Sequence, residues 1–106
     1  MREAAVYREG VALASSVEVH NRVSIAQAAD GLLDIAGVHT SFVVAQSGDF
    51  VFVSGRSIGG INVQLILEQM GGGGSQSTAG LQVAGSNVGQ VLDDLKRAID
   101  KYFDRR

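Results

Sequence analysis

The chain has 106 residues, with nine Lys and Arg against eleven Asp and Glu, and contains no Cys, Pro or Trp. That length suits one domain burying roughly two-thirds of its unfolded surface, and the lack of Cys excludes disulfides and thiolate metal sites. A net charge of −2 is not the basic excess usual for nucleic-acid or anionic-membrane binding, although a small local anion site remains open. No apolar run approaches the roughly 20 residues of a membrane span and no signal-peptide core opens the chain, so a cytoplasmic domain is expected.

Residues 11–19 read as a strand, with Val11, Leu13, Val17 and Val19 in imperfect alternation. Ile25, Ala28, Ala29, Leu32, Leu33 and Ala36 then recur on one helical face. Ser24 and Gln27 suit a capping box, an alternative start lies near Asn21, and Gly37 suits the left-handed end. Residues 40–46 and 50–54 are rich in β-branched and aromatic residues, and Ser47-Gly48-Asp49 reads as the hairpin loop between them. Phe50-Val51-Phe52-Val53 is apolar on both faces, which predicts a central strand. Residues 61–70 read as a buried helix with Ile61, Leu65, Ile66 and Met70 inward, and residues 81–84 as a short strand. The last helix opens at Asn87, with Gln90 placed to complete its cap. Its stripe is Val88, Val91, Leu92, Leu95, Ile99 and Tyr102 or Phe103, and Asp93 and Arg97 are spaced for an ion pair. The expectation is an α/β single domain, a mixed β-sheet flanked by helices in the order β-α-β-β-α-β-α.

Two polar clusters interrupt these elements. Ser54-Gly55-Arg56-Ser57 ends the central strand, and Gly71, Gly72, Gly73 and Gly74, followed by Ser75, end the buried helix. Four glycines in a row are costly to order. They imply a flexible spacer, close packing, or backbone N–H groups aimed at an anion. A spacer fits poorly, because a helix and a strand of the same domain flank the run. In a phosphate site, Arg56 offers a planar fork of donors and Gly71 to Gly74 a nest of N–H groups. Ser75, Ser77 and Thr78 would add hydroxyls, and Gly59-Gly60-Ile61 leads into a helix N-terminus. The plainer alternatives are a solvated charge or structural ion pair for Arg56 and tight packing for the glycines. His20 and His39 are the only histidines and have no metal-ligand spacing. No nucleophile–base pattern or metal cluster is visible, so the residues alone describe a binding module.

The run from Val53 to Gly80, VSGRSIGGINVQLILEQMGGGGSQSTAG, resembles the C-terminal DHH-associated domain of DHH-family phosphoesterases. Ser24-Ile25-Ala26-Gln27-Ala28-Ala29-Asp30 and Ile61-Asn62-Val63-Gln64 make it most similar to the GdpP-type cyclic-di-AMP phosphodiesterases. The resemblance implies that a separate DHH domain, absent from these residues, holds a divalent metal pair, usually manganese, that activates water. This chain would bind no metal, contribute no catalytic residue, and be inactive alone as a fragment of a larger protein, with Met1 an introduced start. Its part would be substrate binding: Arg56 and Ser57 from the Ser-x-Arg-Ser motif, Gly71 to Gly74 from the Gly-rich loop, and Thr78 at a polar substrate contact. Where the family typically carries a histidine after the glycines, this chain has Ser75, which implies a weaker phosphate contact. Implied partners are a cyclic dinucleotide or short oligonucleotide, the DHH domain of the same parent chain, and a second copy in a homodimer. No membrane contact is implied for this domain, although other segments could anchor the parent. Two alternatives stand beside this reading. One is a nucleic-acid-binding module, as in RecJ-type exonucleases or alanyl-tRNA synthetase. The other is a catalytically inactive regulatory domain.

Overall fold

A computed structural model describes residues 2–105 apart from His20; that histidine and Met1, the expected introduced start, lie outside the described residues. The elements are β1 (Arg2–Arg8), β2 (Val11–Val19), α1 (Arg22–Leu32), β3 (Thr40–Ser47), β4 (Phe50–Ser57), α2 (Val63–Glu68), β5 (Gly73–Gly74), β6 (Thr78–Ala84) and α3 (Val88–Asp104). They form one mixed sheet in the order β1-β2-β3-β4-β6-β5. Only β2 and β3 run parallel, because α1 carries the chain from one to the other; the remaining neighbours are antiparallel.

Alternation along the central strands separates two cores. Phe42, Val44, Val51, Val53, Ala79 and Leu81 face α2 and α3, where Val63, Ile66, Leu67, Val91, Leu95 and Ile99 complete the larger core. Val43 and Ala45 face the other way and meet Ile25 and Ala29 of α1. The apolar run in β4 therefore has the central, two-faced position that its composition predicts. On that strand Phe52 packs on the α1 side. By the period of two, Ser54 and Arg56 share its face, while Gly55 and Ser57 point to the α2 side.

Each helix begins with an asparagine cap. The Oδ1 atoms of Asn21, Asn62 and Asn87 accept from the N–H groups of Ser24, Leu65 and Gln90 at 2.8, 3.1 and 2.8 Å. The Gln90 side chain does not close a box at Asn87; its amide donates to Asp94 instead. Arg97 likewise pairs with Asp94, one position from the expected Asp93.

Several details differ from the sequence reading. The strand β1 was not anticipated; it is held by pairing with β2 and by Tyr7 and Arg8, which bond Asp100 of α3 at 2.7 and 3.1 Å. Val17 is 75% exposed within a register shift near the end of β2. α1 stops at Leu32, so Ala36 leaves the helix, and Gly37 takes its positive φ of 85° in the turn that follows. α2 is shorter than 61–70 and buries Val63, Ile66 and Leu67, leaving Leu65 50% exposed.

Candidate functional site

The helix α1 packs on β3 and β4 and leaves the β6–β5 end of its sheet face uncovered. The step between helix and bare sheet is a cleft of about 390 Å³. Arg22, Val23 and Ala26 form its helical wall; Phe52, Ser54 and Arg56 come from β4, and Gly73, Gly74, Thr78 and Gly80 from β5 and β6. No carboxylate is among its lining residues.

Arg56 is held firmly in place. Its Nε donates to Asp30 Oδ1 at 3.0 Å, and one terminal nitrogen donates to Ser54 Oγ at 3.0 Å and to the Gly55 carbonyl at 2.9 Å. The guanidinium side chain is 17% exposed against 64% for Asp30, so the pair lies at the cleft rim with its acid toward solvent. The structural ion pair and the anion-binding donor are therefore not exclusive. Asp30 fixes the fork, and the second terminal nitrogen has no partner among the described residues. Thr78 is the direct cross-strand neighbour of Arg56.

The glycine run divides by position. Gly71, at φ 95°, is the left-handed residue that ends α2. Its N–H bonds the Glu68 carbonyl and the Gly72 N–H bonds the Leu67 carbonyl, the paired bonds of a Schellman ending. A Cβ at position 72 would lie 2.6 Å from the Gly80 carbonyl oxygen, and one at 74 would lie 2.4 Å from that of Thr78, where φ is also 146°. Gly73 differs. A Cβ there would meet nothing within 4 Å, and its φ lies outside the left-handed region. Neither backbone conformation nor packing demands a glycine at this position, yet its bare backbone fronts the cleft.

A nest of successive free N–H groups does not form in this run. Gly71 and Gly72 are spent on the helix end, and the Ser75 N–H bonds the Thr78 carbonyl at 2.7 Å. Gly73 pairs with Gly80, and ladder alternation then turns only the Gly74 N–H away from β6 toward the open edge. The N-terminus of α2 is also occupied: Val63 N–H donates to the Gln76 carbonyl, Leu65 N–H to Asn62, and Asn62 N–H to the Tyr102 hydroxyl oxygen.

Of the sequence candidates, Arg56, Gly73, Gly74 and Thr78 gather in the cleft; Ser57, Gly71, Gly72 and Ser75 do not line it. The strand period places Ser57 on the opposite face from Arg56, buried, with its Oγ unpartnered. Ser75 sits in the exposed turn after β5, its hydroxyl donating to the Thr78 carbonyl at 3.3 Å. Arg22, Val23, Ala26, Phe52 and Asp30 were not anticipated. A signal was present: Arg22, Ala26 and Asp30 recur every four residues on one helical face. A cation at the first helical position, with no acid in that turn, also opposes the helix dipole.

Among the described residues no three His, Cys, Asp or Glu side chains gather where they could hold a metal ion. Nor is any helix of the described residues long and apolar enough to cross a membrane.

The DHHA1 domain family model matches residues 10–104. The chain is 43% identical over 107 aligned residues to the cyclic-di-AMP phosphodiesterase GdpP of Geobacillus thermodenitrificans, covering 98% of this chain and 16% of that protein. It is 42% identical to the GdpP of Bacillus subtilis, covering 93% and 16%. The chain thus spans about one sixth of these relatives. An exopolyphosphatase-related protein from Bacteroides fragilis shares the fold at a TM-score of 0.79 and 19% identity, over 93% of this chain and 31% of that one. The match over nearly the whole chain, together with the mixed six-stranded sheet and its flanking helices, shows that this chain belongs to the DHHA1 domain family.

Proposed function

We propose that this chain is the substrate-binding domain of a DHH-family phosphodiesterase acting on cyclic-di-AMP or a related short nucleotide, with the cleft beside α1 receiving a phosphate. The observation that carries the reading is the charge of that cleft. Two arginines and no carboxylate line it, with Asp30 only at its rim, in a chain whose net charge is −2. Arg56 supplies the fixed fork, Arg22 an exposed cation, Thr78 a hydroxyl, Gly74 an outward N–H, and Gly73 room for close approach. The divalent metals and the attacking water belong, in this proposal, to a DHH domain of the same parent chain. This domain holds the substrate, and a homodimer is compatible with the role.

Titration of the chain by calorimetry with cyclic-di-AMP, its linear dinucleotide product and a short RNA tests the proposal. Each charge-assisted hydrogen bond is worth about 1.5–3 kcal/mol, so Arg56→Ala is expected to weaken dinucleotide binding about 10- to 100-fold. Arg56→Lys should recover only part of the loss, because the charge returns without the fork. Tight RNA binding with a steep salt dependence would favour a nucleic-acid module instead. Dinucleotide affinity indifferent to Arg56 would refute the assignment.

A further inference from the structure

We infer that the face of Phe52 beneath Arg22 is a nucleobase subsite, so that the cleft selects base-bearing phosphodiesters over base-free phosphates; this rests on the phosphate reading above. Phe52 is half-buried on the α1 side of β4, at the floor of the cleft. Its ring reaches over β6 at Gly80, where a Cβ would come within 3.2 Å of Phe52 Cζ. Val23, 66% exposed, and Ala26 extend an apolar wall beside it. An inorganic phosphate gains nothing from a ring and an aliphatic wall, whereas a base has a flat apolar face to lay on them.

The Arg22 guanidinium lies over this ring, 5.3 Å from its centroid. Two other cations lie over rings among the described residues, Arg8 over Phe103 and Lys96 over Tyr7. The Asp100 carboxylate accepts from Arg8 and from Tyr7, the ring beneath Lys96. Arg22 has no ion pair among the described residues and stands against the positive end of its own helix. It is therefore a cheaply displaced cover. A base can take its place on Phe52 or slide between ring and guanidinium, since both are planar π-faces.

The test compares cyclic-di-AMP and linear diadenylate with inorganic pyrophosphate and ribose 5-phosphate, titrated into the full chain and into Phe52→Leu. Base–aromatic stacking predicts that the adenine ligands bind wild type about tenfold or more tightly than the base-free ones. Phe52→Leu should lower that preference ratio about tenfold. Thermal unfolding checks that the variant folds. As a second readout, Phe52→Trp places the sole tryptophan of the chain at this position, and adenine ligands should quench its fluorescence while pyrophosphate does not. Equal affinity for adenine and base-free ligands, or a preference ratio indifferent to Phe52→Leu, would overturn the subsite and leave the phosphate reading standing. Binding of none of the four ligands would overturn both.

Discussion

Replacing the glycines one at a time separates folding from binding within a single four-residue run. At Gly72 an alanine Cβ would fall 2.6 Å from the Gly80 carbonyl oxygen and 3.0 Å from Leu81 Cβ. Neither atom belongs to the far end of a flexible side chain, so β5, α2 or β6 must shift. Overpacking of this kind costs about 1–3 kcal/mol. At Gly74 the Cβ would lie 2.4 Å from the Thr78 carbonyl oxygen and 2.6 Å from Ala79 Cα, on a backbone with φ 146°. Clash and strain then act together, so Gly74→Ala should be at least as costly. At Gly73 the Cβ meets nothing within 4 Å, in an extended strand. Gly73→Ala should therefore be neutral or stabilise by about 0.4–1 kcal/mol, through the smaller freedom of the unfolded chain. In thermal unfolding of a domain this size, 1 kcal/mol corresponds to about 4–8 °C. The expected pattern is a lowered midpoint for Gly72→Ala and Gly74→Ala, and an equal or raised midpoint for Gly73→Ala. If Gly73 is bare to let a ligand approach, Gly73→Ala should still lose dinucleotide affinity when titrated by calorimetry. A stable Gly73→Ala variant that binds as wild type does would refute the role given to this residue.

Other expectations follow from the same geometry. Asp30→Ala frees the Arg56 fork without touching the cleft; its rim position limits the stability cost to about 1 kcal/mol or less, yet dinucleotide affinity should fall, and unchanged affinity would show that Arg56 needs no positioning. Ser75→His, in the turn after β5, should tighten dinucleotide binding by restoring a cationic donor, and no gain in calorimetry would show that this turn does not face phosphate. Burial, and then the hydrogen bond to Asp100, raise the Tyr7 phenol above its ordinary 10.0. The folded state then holds this proton more tightly than the unfolded one. Its contribution is complete below pH 10 and is lost as pH rises from there through the raised value. Denaturant unfolding of Tyr7→Phe should show a shallower alkaline loss than wild type.

The sequence carried the sheet-and-helix alternation because burial wrote itself into period and composition. The two-faced run at Phe50 to Val53 marked a central strand, and the stripe from Val88 to Ile99 marked α3. Two strands escaped for physical reasons. β1 is fixed by its β2 pairing and by Asp100, 92 and 93 residues away from Arg8 and Tyr7. β5 is made of glycine, which has no side-chain pattern to read. Leu65 fitted a helical stripe but lies outside because α2 is short and turns Val63 and Leu67 inward.

The site was half legible for a related reason. Arg56 and the glycine run stood out by composition, but the strand period separates Ser57 from Arg56. The missing wall, Arg22, Val23 and Ala26, comes from a helix about 30 residues earlier than Arg56, and only the fold brings it over β4. The meaning of the glycines also divided. Gly71, Gly72 and Gly74 build the end of α2 and the edge strand, while Gly73 alone is left for a ligand to explain.

The central claim is that the step between α1 and the β4–β6–β5 face binds nucleotide. Amide chemical-shift mapping of the isotopically labelled chain during titration with cyclic-di-AMP tests it most directly. The account predicts shifts concentrated at residues 22–26, 52–56 and 73–80, with Arg56 and Gly73 among the largest. Shifts confined to the opposite side, around Gln69, Val91 and Lys101, or no shifts at all, would contradict it.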